Sequence, residues 1–214
     1  MEIRKTGDGS DTLWSERYGE TYHSSFGAET ESTHVFLNAG LNQLSFDPIN
    51  IFEMGFGTGL NAYLTYQFLI NSKPEVIYHA IELNPLSFDI VQNFNNQKSD
   101  REVFHKLHQA EWDKDVYLEK WFTLRKIHAD LQTWVPEKSY HLIYYDAFSP
   151  ESQPELWTPE IFQKLFKLTL AGGLLTTYCA KGIVRRNMIS AGFKVERIPG
   201  PPGKREILRA YKQL

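Results

Sequence analysis

A single cysteine, Cys179, stands among 214 residues. No intrachain disulfide can form, and no Cys-x-x-Cys metal site exists. Both facts fit a reducing cytoplasm. No stretch approaches the ~20 consecutive apolar residues that a membrane-spanning helix needs. The N-terminal residues 1–20 are polar and contain no apolar run of the signal-peptide kind. No membrane partner is therefore expected. The seven histidines show no metal-ligand spacing, so no metal is expected either. Internal repeats and low-complexity linkers are lacking. A surplus of positive charge is also missing: the net charge is −3, which taken alone argues against a nucleic-acid binder. The distribution of charge is less even than that total. Residues 179–214 hold nine basic and two acidic side chains, a net of +7 that leaves −10 for residues 1–178. One end of the chain can attract phosphates that the rest repels, although a solvated basic surface would look the same.

The composition is ordinary for a globular protein, 42% hydrophobic and 23% charged, and one domain is the default at this length. Strand and helix signals alternate, the mark of an α/β fold with a mostly parallel sheet. Residues 1–46 precede that alternation and read as an N-terminal extension. It has short strands or loops, then a helix near 32–43 carrying Val35, Phe36, Leu41 and Leu44. The core, 47–214, opens with an apolar strand over 49–54 and a helix over about 59–71. A buried strand follows at 76–82, then a helix over 86–97. Residues 101–121 read as helical or irregular. Strands follow at 122–128 and 141–145. Thr158-Pro159 is a helix start, threonine as cap and proline in the first turn, and Gly172-Gly173 reads as its end. A strand over 174–178, a helix over 182–190 and two strands around Pro199–Gly203 complete the chain. So short a turn makes the last two strands antiparallel.

The chemistry concentrates at strand ends, where open α/β sheets bind ligands. Glu53-Met-Gly55-Phe-Gly57-Thr-Gly59-Leu-Asn61 joins the first core strand to a helix, and glycines there permit positive φ and close backbone approach. A dinucleotide fingerprint, G-x-G-x-x-G, would place its third glycine at position 60, which is Leu60. The spacing found resembles the first motif of S-adenosylmethionine (SAM)-dependent methyltransferases. Glu82 ends the next strand, where an acidic residue can accept both ribose hydroxyls. Asp130, after the strand 122–128, is either an acceptor for an adenine amino group or a helix N-cap. Asp146, in Asp-Ala-Phe148-Ser-Pro, would lie beside a transferred methyl group. There a carboxylate can hold an amine in line by accepting its N–H, the kind of positioning that lowers a barrier by roughly 7–11 kcal/mol. Cys179 reads as an inert buried thiol, and Trp112, Trp121, Trp134 and Trp157 as packing residues.

Several segments together resemble the methyltransferase domain of the bifunctional tRNA 5-methylaminomethyl-2-thiouridine biosynthesis (MnmC-type) family. They are Tyr22–Leu41 (YHSSFGAETESTHVFLNAGL), Glu53–Asn61 (EMGFGTGLN), Asp146–Trp157 (DAFSPESQPELW), Ala180–Arg186 (AKGIVRR) and the stretch from Gly192 to Gly203-Lys-Arg-Glu206. The resemblance implies a Rossmann-like class I methyltransferase with a seven-stranded, mostly parallel sheet closed by a C-terminal antiparallel hairpin. It implies SAM as cofactor, held by Glu53, Gly55, Gly57, Gly59, Asn61, Glu82 and Asp130. The implied reaction is methylation of a 5-aminomethyl(-2-thio)uridine at the tRNA wobble position, with Asp146 at the reacting amine and Phe148 stacked on the base, worth roughly 1–3 kcal/mol. Arg185, Arg186, Lys204 and Arg205 would contact phosphates of the anticodon arm. Tyr22 and His23 fall in a matching segment and become candidate substrate contacts, with a packed histidine as the alternative. The bifunctional relatives carry a second, flavin-dependent domain for which 214 residues leave no room. No FAD is therefore expected, and separate enzymes would supply the aminomethyl intermediate.

Three other readings compete: methylation of a small-molecule amine, a nicotinamide-dependent oxidoreductase that Leu60 argues against, and a non-catalytic RNA-binding protein. The charge balance predicts modest tRNA affinity that falls steeply as salt rises, because released counterions drive phosphate contacts. A filter-binding titration over a salt series checks this, and salt-insensitive binding would refute it.

Overall fold

The computed structural model describes residues 1–94 and 101–213. The chain begins with an antiparallel three-stranded sheet, β1 (Glu2–Lys5), β2 (Asp11–Ser15) and β3 (Glu20–Thr21). A short helix α1 (Ala28–Ser32) then runs without a break into a π-helix over Thr33–Asn38. The helical signal of this region thus lies four residues earlier than the periodicity predicts. Gly40 marks its end: a Cβ there would come 2.4 Å from the Phe36 carbonyl oxygen.

The main sheet follows: β4 (Ile49–Met54), α2 (Leu60–Leu69), β5 (Val76–Glu82), α3 (Phe88–Asn93), α4 (Arg101–Gln109), β6 (Asp115–Glu119), β7 (Phe122–His128), β8 (Tyr140–Tyr145), α5 (Pro159–Leu168), β9 (Thr169–Thr177), α6 (Gly182–Ser190), β10 (Lys194–Pro199) and β11 (Glu206–Tyr211). Its strand order is β10-β11-β9-β8-β4-β5-β7-β6. The central strands β9, β8, β4, β5 and β7 run parallel, and β11 is antiparallel to both β9 and β10. This is the three-layer architecture of SAM-dependent methyltransferases, with eight strands rather than the predicted seven.

The extra strand is β6, paired antiparallel with β7 at the sheet edge. Its residues are half-buried or exposed, none fully buried, so the segment lacks the apolar run that marks the central strands. Two other expectations need correction. The helix predicted over 86–97 is confined to Phe88–Asn93, and positions 95–97 lie outside the described residues. Gly172-Gly173 does not end α5. The helix stops at Leu168, where the Thr169 hydroxyl closes the last turn on the Leu165 carbonyl at 2.8 Å. The two glycines sit inside β9, at a register shift against β8. A Cβ on Gly173 would lie 2.7 Å from the His141 carbonyl oxygen.

Strand alternation distributes the side chains between two cores. Ile51, Tyr78 and Tyr144 face α2, α4 and the π-helix, whereas Phe52, Ile81 and Tyr145 face α5 and α6. At the start of α5, the Thr158 side chain accepts from Ile161 N, with Pro159 in the first turn, as the sequence predicts.

The two extremes of packing give a direct test. Leu165 is fully buried on α5, and Leu165→Ala should destabilise the fold by about 2–5 kcal/mol. Tyr117 on β6 is 75% exposed, and Tyr117→Ala should stay within about 0.5 kcal/mol. Urea denaturation followed by circular dichroism separates them, and equal effects would refute this account of the core.

Candidate active site

After β4 the chain turns to one side of the sheet and after β8 to the other, so the gap between their ends is the topological switch point where such folds bind ligands. A cavity of about 200 Å³ lies there. The Asp146 N–H donates to the Met54 carbonyl at 3.2 Å, so the segments after both strands leave the sheet side by side. Gly55 permits this approach, because a Cβ on it would lie 3.0 Å from the Asp146 carbonyl oxygen.

The glycine loop curls over the strand end with positive φ at Gly55, Gly57 and Gly59 (88°, 48° and 70°). Gly57 N–H donates to Glu82 Oε2 at 3.1 Å, and Asn84 N–H donates to Oε1 at 2.8 Å. Two backbone donors thus hold the Glu82 carboxylate at the cavity wall. His108 on α4 props the loop from outside, its Nε2 lying 3.0 Å from the Thr58 carbonyl. Burial lowers its pKa to about 4, so the ring is neutral and donates.

Beneath the loop, Asn61 on α2 donates from Nδ2 to Asp146 Oδ2 at 2.8 Å. Desolvation raises the Asp146 pKa to about 7; Asn61 opposes the shift and the Glu31 charge adds to it. Glu53, completely buried, receives the Tyr78 hydroxyl at 2.9 Å. Burial pushes its pKa well above the ordinary glutamate value. Its Oε1 and Asn61 Oδ1 have no hydrogen-bond partner.

The N-terminal sheet supplies the opposite wall. Tyr18 stacks on Phe148 with ring centroids 4.1 Å apart, and Tyr22 meets the same ring edge-on at 5.0 Å. Glu20 accepts the Ser149 N–H at 2.8 Å, and His23 Nε2 lies 2.6 Å from Thr58 Oγ1. Trp157 Nε1 donates to the Phe148 carbonyl at 2.8 Å, fixing the loop that presents Phe148.

Of the candidates read from the sequence, Tyr22, His23, Gly55, Gly57, Asn61, Glu82, Asp146, Phe148 and Lys204 line this one cavity. Glu53 lies below it and Gly59 begins α2 behind it. Asp130 is elsewhere: at the end of β7 its carboxylate accepts the Gln132 N–H at 2.8 Å, capping a turn outside the cavity lining. Arg185, Arg186 and Arg205 are also outside it, and among the described residues they form no ion pairs. Lys204 departs from its expected role at the surface: it turns inward, 2.6 Å from Glu31 Oε2 and 4.0 Å above the Tyr178 ring. Cys179 is buried and free, and burial raises its thiol pKa.

Residue-by-residue reading missed Tyr18, Glu20, Glu31, Thr58 and Tyr178 as cavity residues. Glu31 lies within the YHSSFGAETESTHVFLNAGL segment, the one signal that pointed to it. The lining holds four carboxylates (Glu20, Glu31, Glu82, Asp146) and one lysine among the described residues. That charge balance disfavours a pyrophosphate and suits a cationic, hydroxyl-bearing ligand.

Comparison with known proteins agrees with this geometry. A family model described as S-adenosyl-L-methionine-dependent methyltransferase matches residues 93–213. The tRNA 5-methylaminomethyl-2-thiouridine biosynthesis bifunctional protein MnmC of Stutzerimonas stutzeri is 29% identical over 93% of this chain and 33% of its own length. The protein of the same name from Cupriavidus metallidurans is 30% identical over 92% and 32%. The chain thus spans about a third of these relatives. Among solved structures, MNMC2 from Aquifex aeolicus superposes with a TM-score of 0.81 at 27% identity, over 98% of this chain and 70% of that one. Spermidine synthase from Thermotoga maritima shares the fold alone, with a TM-score of 0.60 at 12% identity over 100% and 72%. Strand order, glycine loop, acidic cavity and the matched family model converge: the chain belongs to the S-adenosyl-L-methionine-dependent methyltransferases.

Proposed function

We propose that this protein methylates the amine of a 5-aminomethyl(-2-thio)uridine at the tRNA wobble position, giving the 5-methylaminomethyl nucleoside. The observation that carries the reading is Asp146. It is a desolvated carboxylate titrating near 7 at the floor of an aromatic-walled cavity, in a chain whose relatives are named for 5-methylaminomethyl-2-thiouridine biosynthesis.

The donor set fits SAM. Glu82, held by two backbone N–H groups, presents its carboxylate to a ribose diol. Gly55 and Gly57 leave room that a Cβ would fill, 3.0 Å from Asp146 and 3.2 Å from the Tyr22 ring respectively. When bound, the cofactor supplies a methyl group on a positively charged sulfur, already activated for displacement. The protein's task is then orientation and desolvation. Asn61 holds the Asp146 carboxylate in place. Asp146 accepts an N–H of the amine and takes the proton that the nitrogen sheds on methylation, a transfer its raised pKa suits better than that of an ordinary aspartate. Phe148, with Tyr18 and Tyr22 beside it, offers a stacking surface to a base extruded from the anticodon loop. Exposed Arg186 follows β9, and exposed Arg205 sits in the β10–β11 turn. Both are at the cavity end of the sheet, where they can meet backbone phosphates while Lys204 stays paired within.

Three measurements test the reading. Labelled SAM incubated with tRNA carrying 5-aminomethyluridine should place label in 5-methylaminomethyluridine. SAM binding without transfer to that tRNA would sink the substrate assignment. Glu82→Ala should weaken SAM binding by about 10- to 150-fold in calorimetry, the equivalent of roughly 1.5–3 kcal/mol for a charged hydrogen bond. Because the ionised carboxylate is the active form, kcat should rise with pH through about 7. Asp146→Asn should remove that limb and lower kcat by about 100-fold or more. An unchanged profile would rule Asp146 out as proton acceptor.

A further inference from the structure

Glu31, next to the last residue of α1, lines the cavity together with Asp146, Tyr178 and Lys204. Its side chain is 12% exposed. Oε2 lies 2.6 Å from Lys204 Nζ, yet receives no hydrogen bond from it or any other donor. The ammonium approaches the oxygen without hydrogen-bond alignment and rests instead over the Tyr178 ring. The wall therefore holds a buried carboxylate oxygen that lacks a directional donor, beside an aromatic face that already accommodates a cation. Glu31 and Asp146 both line the cavity, and the Glu31 charge reaches Asp146 strongly enough to raise its proton affinity.

A neutral primary amine carries two N–H donors and one lone pair. Methylation proceeds along the lone pair, so an amine held by one N–H can still swing its lone pair out of line. Two acceptors hold both N–H groups and leave one direction for the lone pair. After transfer and loss of a proton, the secondary amine keeps a single N–H and can satisfy only one of them.

We infer that Glu31 is the second acceptor for the substrate amine: with Asp146 it binds both N–H groups of a primary amine, aims the lone pair and disfavours a second methylation of the product. The inference rests on the wobble-amine reading. Lys204 serves as the counter-ion of Glu31, which explains why this lysine turns inward rather than toward phosphate.

The test compares two tRNA substrates, one carrying 5-aminomethyluridine and the other 5-methylaminomethyluridine, with the full chain and SAM. Wild-type protein should strongly prefer the primary amine. Glu31→Gln should cut kcat/KM on the primary amine by about tenfold or more, the scale of one charge-assisted hydrogen bond. It should lower the primary-to-secondary ratio by a similar factor and leave SAM affinity in calorimetry unchanged. A ratio measured on one preparation does not depend on the fraction folded. The double variant Glu31→Gln/Lys204→Met removes the stray lysine charge and should keep the lowered ratio. Equal losses on both substrates would show a structural role and overturn the inference, as would recovery of the preference in the double variant. An unchanged ratio with active wild-type enzyme overturns this inference alone. Wild-type protein that binds SAM but methylates neither tRNA overturns the wobble-amine reading, and this inference with it.

Discussion

One hydrogen bond, from the Asp146 N–H to the Met54 carbonyl, joins the two halves of the site. It extends the parallel β4–β8 ladder by one step and delivers the Asp146 carboxylate beside the glycine loop. Everything else is arranged around that contact. Gly55 keeps the two segments close, since a Cβ on it would crowd the Asp146 carbonyl oxygen at 3.0 Å. Asn61 reaches Asp146 only because α2 starts directly after the loop. Glu82 meets the Gly57 N–H because β5 runs in register beside β4, Met54 opposite Ile81.

Desolvation gives this arrangement its chemical character. Carboxylates dominate the charged groups of the cavity, and the same burial raises the pKa of Asp146 to about 7 and pushes that of Glu53 above its ordinary value. A surface aspartate would hold its proton too weakly to serve an amine near neutral pH. Opposing charge is supplied sparingly: Lys204 balances Glu31, and three basic side chains of the C-terminal segment are paired outside the cavity, Lys181 with Glu151, Arg197 with Glu206 and Arg209 with Glu196. Only Lys181–Glu151 and Lys204–Glu31 draw on acids outside that segment, and these two pairs make its +7 smaller as an exposed field than as a sum over residues.

The central strands were legible because their environment repeats along the chain. β4, β5, β7, β8 and α6 fall within a residue of the expected bounds, and β10 and β11 pair antiparallel around the turn that Pro199–Gly203 predicts. The weaker predictions failed for identifiable reasons. β6 buries no residue completely, so only its pairing with β7 reveals it. Gly172-Gly173 carries the chemistry of a helix end, but the close approach of His141 and Lys212 uses it inside a strand. Asp130 admits a ligand-binding and a capping reading on sequence alone; its carboxylate accepts the Gln132 N–H in a turn and lies outside the cavity lining.

By itself the sequence determined the α/β class, the glycine loop that excludes a dinucleotide spacing, and the two acidic strand ends at Glu82 and Asp146. These depend on residues close together in the chain, where spacing alone carries the information. Tertiary structure decided which distant residues complete the site. Tyr18, Glu20 and Glu31 come from the N-terminal segment and Lys204 from the last hairpin. The acidity of Asp146 and the pairing of Lys204 follow from that convergence, because desolvation and Coulomb interactions depend on distance in space rather than separation along the chain.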